Sequence, residues 1–242
     1  MRRPRWLVAH LLAVSLVVAF INLGFWQLGR WQERKLNNQV LAARLAEEPL
    51  PLAQLLESAG PDFPSLDYRR AKTEGQFQPD HELLVRSQVQ DGVAGFHVVT
   101  PLLLAEGSAI LVNRGWVPLT MDTVPSPAAP PRGVVSVSGW LRMGEGRASP
   151  GAIPDNDDMV TRIEVALLED RLPWDLLPLY LVAEGGALDR LPTPLARPDL
   201  DDEGPHLAYA VQWFAFTIIG VVGYFFLLRR AIKHPRRMPS PA

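Results

Sequence analysis

The sequence predicts a membrane protein: two transmembrane α-helices flanking an α+β extracytoplasmic domain with a mainly antiparallel sheet. Three observations lead there. Residues 207–228 form an uncharged run of 22 residues, which as a helix spans ~33 Å, enough to cross a bilayer core. Residues 6–29 form a second run with no formal charge beyond what His10 can carry. Between them, residues 68–184 alternate apolar and polar in short stretches that break at glycine and proline, as strands and hairpins do.

Taken in order, residues 1–5 are a basic terminus with Arg2, Arg3 and Arg5. Helix one, 6–29, carries Trp6 and Trp26 near its two ends, where an interfacial aromatic belt belongs. A cleaved signal peptide is the rival reading, with the arginines as n-region and Val17, Val18 and Ala19 as cleavage site; the apolar run is long for that role. Five residues leave no room for a mitochondrial transit peptide, so the expected compartment is a bacterial cell membrane. Residues 30–45 are helix formers that continue helix one or kink it at Gly29. Pro49, Pro51, Gly60, Pro61 and Pro64 then mark a loop region with a short helix at 52–58.

Strands are expected at 68–77, 82–88, 96–104, 109–112, 134–143, 159–165 and 179–184. Asn113 to Trp116 ends the fourth of these as a turn or bulge. A short helix at 164–171 stops before Pro173. Residues 191–205, LPTPLARPDLDDEGP, return the chain to the membrane. The domain is thus 30–205, helix two is 206–228, and 229–242 is a basic tail. About 175 residues are enough for a real core. There is no internal repeat.

Composition narrows function. The chain has no cysteine, which excludes disulfides, thiolate metal sites and CxxC redox chemistry. Charge is sorted: the two ends hold eight basic residues and no acid, leaving sixteen basic residues against all 26 acids in the middle. Positive charge beside apolar spans stays cytoplasmic, so both ends belong inside and the acidic middle outside. An acidic domain argues against nucleic acid.

This topology puts the end of helix one and the start of helix two at the same outer depth. Leu23, Trp26, Gln27 and Arg30 share one face by i, i+3, i+4, i+7 spacing; His206, Tyr209, Ala210 and Trp213 share another. Gly24 and Ala210 would let the helices approach closely. If the faces meet, an imidazole, a guanidinium, a carboxamide and several aromatic rings surround one pocket. Such a pocket suits a haem, with histidine as axial ligand, rings on the macrocycle and arginine on a propionate. The same residue types also serve as plain membrane anchors; spacing alone leaves both readings open.

Five ordered pieces carry a resemblance: GFWQLGR at 24–30; Tyr68 and Arg69 followed by Gly75 and Phe77; TPL from Thr100; VNRGWVP at 112–118; and HLAYAVQWF at 206–214. Together they resemble the Surfeit locus protein 1 family over residues 24–214. That resemblance implies a non-catalytic assembly factor for haem-copper cytochrome c oxidase that binds haem a and aids its insertion into subunit I. It implies His206 as a haem ligand, with Trp26, Gln27, Arg30, Tyr209 and Trp213 around the ring. Expected partners are oxidase subunit I, haem a synthase and membrane lipid. Residues 120–154 match no piece of the family.

Other features are weaker. His10 is an intramembrane ionisable group near a helix end. His81 and His97 read as ordinary strand residues. Asp155, Asn156, Asp157 and Asp158 lack the spacing of a calcium loop. No P-loop, G-x-S-x-G or G-x-G-x-x-G occurs. The alternative function is a two-helix sensor or adaptor with a ligand-binding outside domain, although the cytoplasmic parts are too short to hold a signalling domain. A membrane-tethered enzyme would lack a motif.

Overall fold

The computed structural model describes residues 4–144, 158–185 and 191–233. In chain order the elements are α1 (Pro4–Ala46), β1 (Leu50–Pro51), α2 (Leu52–Ala59), β2 (Arg70–Phe77), β3 (Leu83–Gln90), β4 (Val93–Leu103), β5 (Ala109–Pro118), β6 (Val134–Met143), β7 (Met159–Val160), α3 (Val165–Leu168), β8 (Leu176–Ala183) and α4 (His206–Lys233). They fall into two compact units, Met1–Val40 with Asp199–Ala242, and Leu41–Pro198.

The first unit is built on α1 and α4. Both are long and apolar enough to cross a membrane. Leu11, Val18, Ile218, Val222 and Phe226 are among many large apolar side chains exposed along them, a surface that suits hydrocarbon better than water. α1 runs without a break through Gly29. One glycine costs a helix only about 1 kcal/mol, and no proline follows until Pro49.

The second unit is an eight-stranded sheet in the order β1-β2-β6-β8-β5-β4-β3-β7. A further pairing of Gln76 with Leu103 and Phe77 with Leu102 joins β2 to β4 and closes a barrel. The sheet is mixed, with antiparallel pairings in the majority. Five pairings are antiparallel, but β1–β2, β3–β7 and β5–β8 are parallel. A parallel neighbour needs a long connection, and the stretch from 119 to 175 supplies one between β5 and β8. Several strand boundaries also move: β4 begins at Val93 and β8 at Leu176, each three residues before the expected start. β5 continues through Asn113–Trp116 to Pro118, and the strand expected at 159–165 is only two residues long.

Alternation explains the core. One face of β5, β6 and β8 sends Ile110, Val112, Leu141, Leu179 and Leu181 into the barrel, where Leu102 joins them and Leu52 and Leu55 of α2 close over it. Leu84, Phe96, Val98, Val117 and Ala128 form a second cluster.

Candidate functional site

Partly buried positions of α1 recur at intervals of three and four: His10, Ala13, Val17, Phe20, Gly24, Gln27, Trp31, Lys35 and Asn38. Those of α4 do the same at His206, Ala210, Trp213 and Thr217, with Tyr224 two turns further on. A repeat of that kind keeps one seam facing a partner helix along its length. The tightest point is Gly24, where an added Cβ would lie 2.7 Å from the Phe214 ring. Ala210 is fully buried opposite.

At one end of this seam the His206 Nδ1–H donates to the Gln27 carboxamide oxygen at 2.8 Å. That bond fixes the tautomer: the proton sits on Nδ1 and the Nε2 lone pair is left for another partner. Next along the seam, the Trp213 ring lies 5.4 Å from Phe20 and 5.9 Å from Phe216. Near the opposite end His10 hydrogen-bonds the Tyr224 hydroxyl, so it has a partner on the facing helix.

Residues 199–204 are tied to α1 just ahead of His206. Trp31 Nε1–H donates to Glu203 Oε2 at 2.6 Å, and Lys35 Nζ lies 3.5 Å from Glu203 Oε1. Asn38 Nδ2 donates to the Leu200 carbonyl at 2.9 Å, and Arg34 Nε to the Asp202 carbonyl at 3.1 Å. A Cβ on Gly204 would meet the His206 ring at 3.5 Å and Arg34 Cδ at 3.7 Å, so both side chains pack near this glycine.

The structure therefore brings together Gln27, His206, Ala210 and Trp213 of the expected set. It leaves Trp26 and Tyr209 exposed, and Leu23 with them. Arg30 pairs with Glu33 of its own helix at 2.7 Å. The seam is rotated by about one residue from the predicted face, because Gly24 is where the helices touch and Trp31, not Arg30, follows it one heptad on. Trp31, Arg34 and Glu203 were missed. Their signal is the unbroken three-four spacing from His10 to Asn38, opposed by an acidic segment, DLDDE.

In the barrel, the bulge opposite Val98 and Val99 leaves Arg114 as the extra residue of β5. Gly115 adopts φ +130°, and an added Cβ there would strike the Thr193 carbonyl oxygen at 2.2 Å; only glycine fits. The bulge aims Arg114 inward. Its Nη1 donates to Glu82 Oε2 at 3.0 Å and its Nη2 to the Ala128 carbonyl at 2.6 Å. Thr100 Oγ1 and the Ser126 N–H also donate to Glu82, at 2.9 and 2.7 Å. Both charged side chains are nearly inaccessible, 8% for Arg114 and 0% for Glu82. Burial lowers the Arg114 pKa, and the attraction of Glu82 works against that. The threonine of TPL and the arginine of VNRGWVP thus meet on one buried carboxylate.

His97 sits on β4, as expected, and burial lowers its pKa to about 4, so it is neutral. Its Nδ1 faces Asn113 Nδ2 at 3.4 Å. His81 lies in a 3-10 turn, Pro79–His81, rather than a strand, with its ring edge-on to Trp174. Among the described residues no group of three or more His, Asp or Glu could hold a metal ion. Asp155, Asn156 and Asp157 lie outside the described residues.

The sequence model of the SURF1 family matches residues 14–218. The chain is 31% identical to an uncharacterized SURF1-like protein of Mycobacterium tuberculosis, over 97% of this chain and 88% of that one. A SURF1-like protein of Rickettsia felis is 27% identical over 93% and 98%, and one of Monosiga brevicollis 29% identical over 94% and 91%.

Proposed function

The chain belongs to the SURF1 family, and on that premise we propose that it is a non-catalytic assembly factor for haem-copper cytochrome c oxidase. It holds haem a as cargo where α1 meets the start of α4, receives it from the haem a synthase and passes it to subunit I. The basic termini stay in the cytoplasm of a bacterial cell; residues 30–205 lie outside the membrane, and lipid surrounds the two helices. Nucleic acid has no part in this role.

The observation that carries the reading is the Gln27–His206 hydrogen bond. An iron-ligating imidazole needs one nitrogen free and the other held by an acceptor that sets the ring's orientation. His206 has that arrangement before any ligand arrives. Trp213, two turns further along α4, and Phe20 of α1 supply packed aromatic surface on the same seam. Arg30 and Arg34 are the cations available for a propionate, each of which would have to leave a carboxylate, Glu33 or Asp202. Exposed Trp26 and Tyr209 serve the outer edge of the ring or the lipid boundary. A single axial histidine leaves the opposite coordination position open, which suits release more than storage.

The test is the haem content of the protein purified from a host that makes haem a. Wild type carries haem with a histidine-ligated spectrum, His206→Ala loses most of it, and Gln27→Leu weakens it by tenfold or more. Unchanged haem in His206→Ala overturns the ligand assignment.

A further inference from the structure

Between their two polar contacts, Gln27–His206 and His10–Tyr224, α1 and α4 do not fill the space along their seam. A recess of about 540 Å³ lies there, lined by Ala13, Val17, Phe20, Gly220, Gly223 and Tyr224 among others, almost all apolar. An added Cβ at Gly220 or Gly223 would meet nothing within 4 Å. Close packing against α1 therefore does not require these two exposed glycines, unlike Gly24; they leave the side of the recess open.

We propose that this recess receives the prenyl tail of the haem whose ring is held at His206. The inference rests on the reading of His206 given above. Phe20 lines the recess and packs on Trp213, so an aromatic pair extends from the recess towards the start of α4. Along α4 the step from His206 to Ile219, where the recess begins, is ~20 Å of helix, within reach of a macrocycle bearing a farnesyl-length substituent. A partner helix fits less well. The recess is open along one side, with Val14, Ile219 and Leu227 exposed at its rim, but from Ile219 to Leu227 it runs only about two turns, too short to seat a partner helix along the seam. A flexible hydrocarbon chain enters such a space without disturbing the contacts between the helices.

The experiment titrates the purified full-length protein in detergent with three haems: haem a, a haem with the tail but no formyl group, and haem b with neither. Binding is read by the Soret shift. Both tailed haems bind at least tenfold tighter than haem b. In Gly220→Leu/Gly223→Leu, whose new side chains enter open space, the tailed haems fall to the affinity of haem b, while haem b itself is unchanged. Gly220→Ala/Gly223→Ala gives an intermediate loss and guards against misfolding of the larger variant. Equal wild-type affinity for tailed and tailless haems overturns the tail site and leaves the His206 reading standing. So does a filled variant that sheds co-purifying acyl chains yet keeps its preference. Failure of every haem to bind wild type removes the His206 reading, and the tail site with it.

Discussion

Set α4 beside β4. Both are rich in valine, leucine and phenylalanine, yet Ile218, Val222 and Phe226 are exposed on the helix while Val98, Val99 and Leu102 are fully buried in the strand. The polar groups are placed the other way round. In the barrel a complete ion pair, Glu82–Arg114, is sealed inside with every strong hydrogen-bonding partner supplied. Along the helix seam the polar contacts are few and sit at two levels, Gln27–His206 and His10–Tyr224. Water drives the barrel's apolar side chains together. Hydrocarbon gives no such drive between helices, so small residues and a few hydrogen bonds must set their register.

The contrast breaks most sharply at Arg114. Removing one partner of a buried ion pair leaves the other charge uncompensated, at a cost of about 3–5 kcal/mol. Arg114→Met is expected to destabilise the barrel by that much, read as faster amide exchange in β4 and β5 of the full-length protein in detergent. Exchange in the membrane-spanning parts of α1 and α4 stays as it was. A loss under ~1 kcal/mol would mean that the buried pair contributes little beyond what an apolar filling would.

Placing the same acid on each surface comes next. Ile218→Asp puts a carboxylate at the centre of a spanning helix, costing about 3 kcal/mol of insertion. Val134→Asp, at a 74% exposed barrel position, stays within about ±0.5 kcal/mol. A membrane-insertion reporter and a stability measurement check the pair. Insertion untouched by Ile218→Asp would remove α4 from the bilayer.

Burial also makes the barrel sensitive to pH through His97, whose pKa falls from 6.5 to about 4. The unfolded chain takes up the proton first, so stability is complete above pH ~6.5 and is lost as pH falls towards 4, levelling off below that. The loss is at most about 3.4 kcal/mol. His97→Gln flattens that slope; an unchanged slope would assign it to other groups.

How much of this was legible beforehand follows from range. Helix existence was plain, since a long uncharged run needs no partner to be recognised. The strand at 134–143 came out residue for residue because its alternation and flanking turns are local. The Arg114 bulge was read as the end of a strand, because its reason lies at Glu82, 32 residues away. The helix faces were right in kind but off by one residue, since i, i+3, i+4, i+7 spacing fits more than one stripe. Only the contact of Gly24 with Phe214 chooses among them. Barrel closure by Gln76 and Phe77 on β4 left no mark in the sequence at all.

The smallest effect tests that choice of stripe. Trp31 lies on the seam and holds Glu203 through its indole N–H; Trp26, on the neighbouring stripe, is 57% exposed. Trp31→Phe keeps the ring and removes one hydrogen bond to a charged acceptor, worth about 1.5 kcal/mol. Residues 199–204 should then loosen from α1, with amide exchange there about tenfold faster, and haem at His206 should weaken by a smaller factor. Trp26→Phe should change neither. Glu203→Gln keeps an acceptor for Trp31 but gives up the charge facing Lys35, so its effect falls between the two. If Trp26→Phe and Trp31→Phe behave alike, the helices meet on the stripe that spacing first suggested, and the route by which residues 199–204 set the His206 ring against Gln27 is wrong.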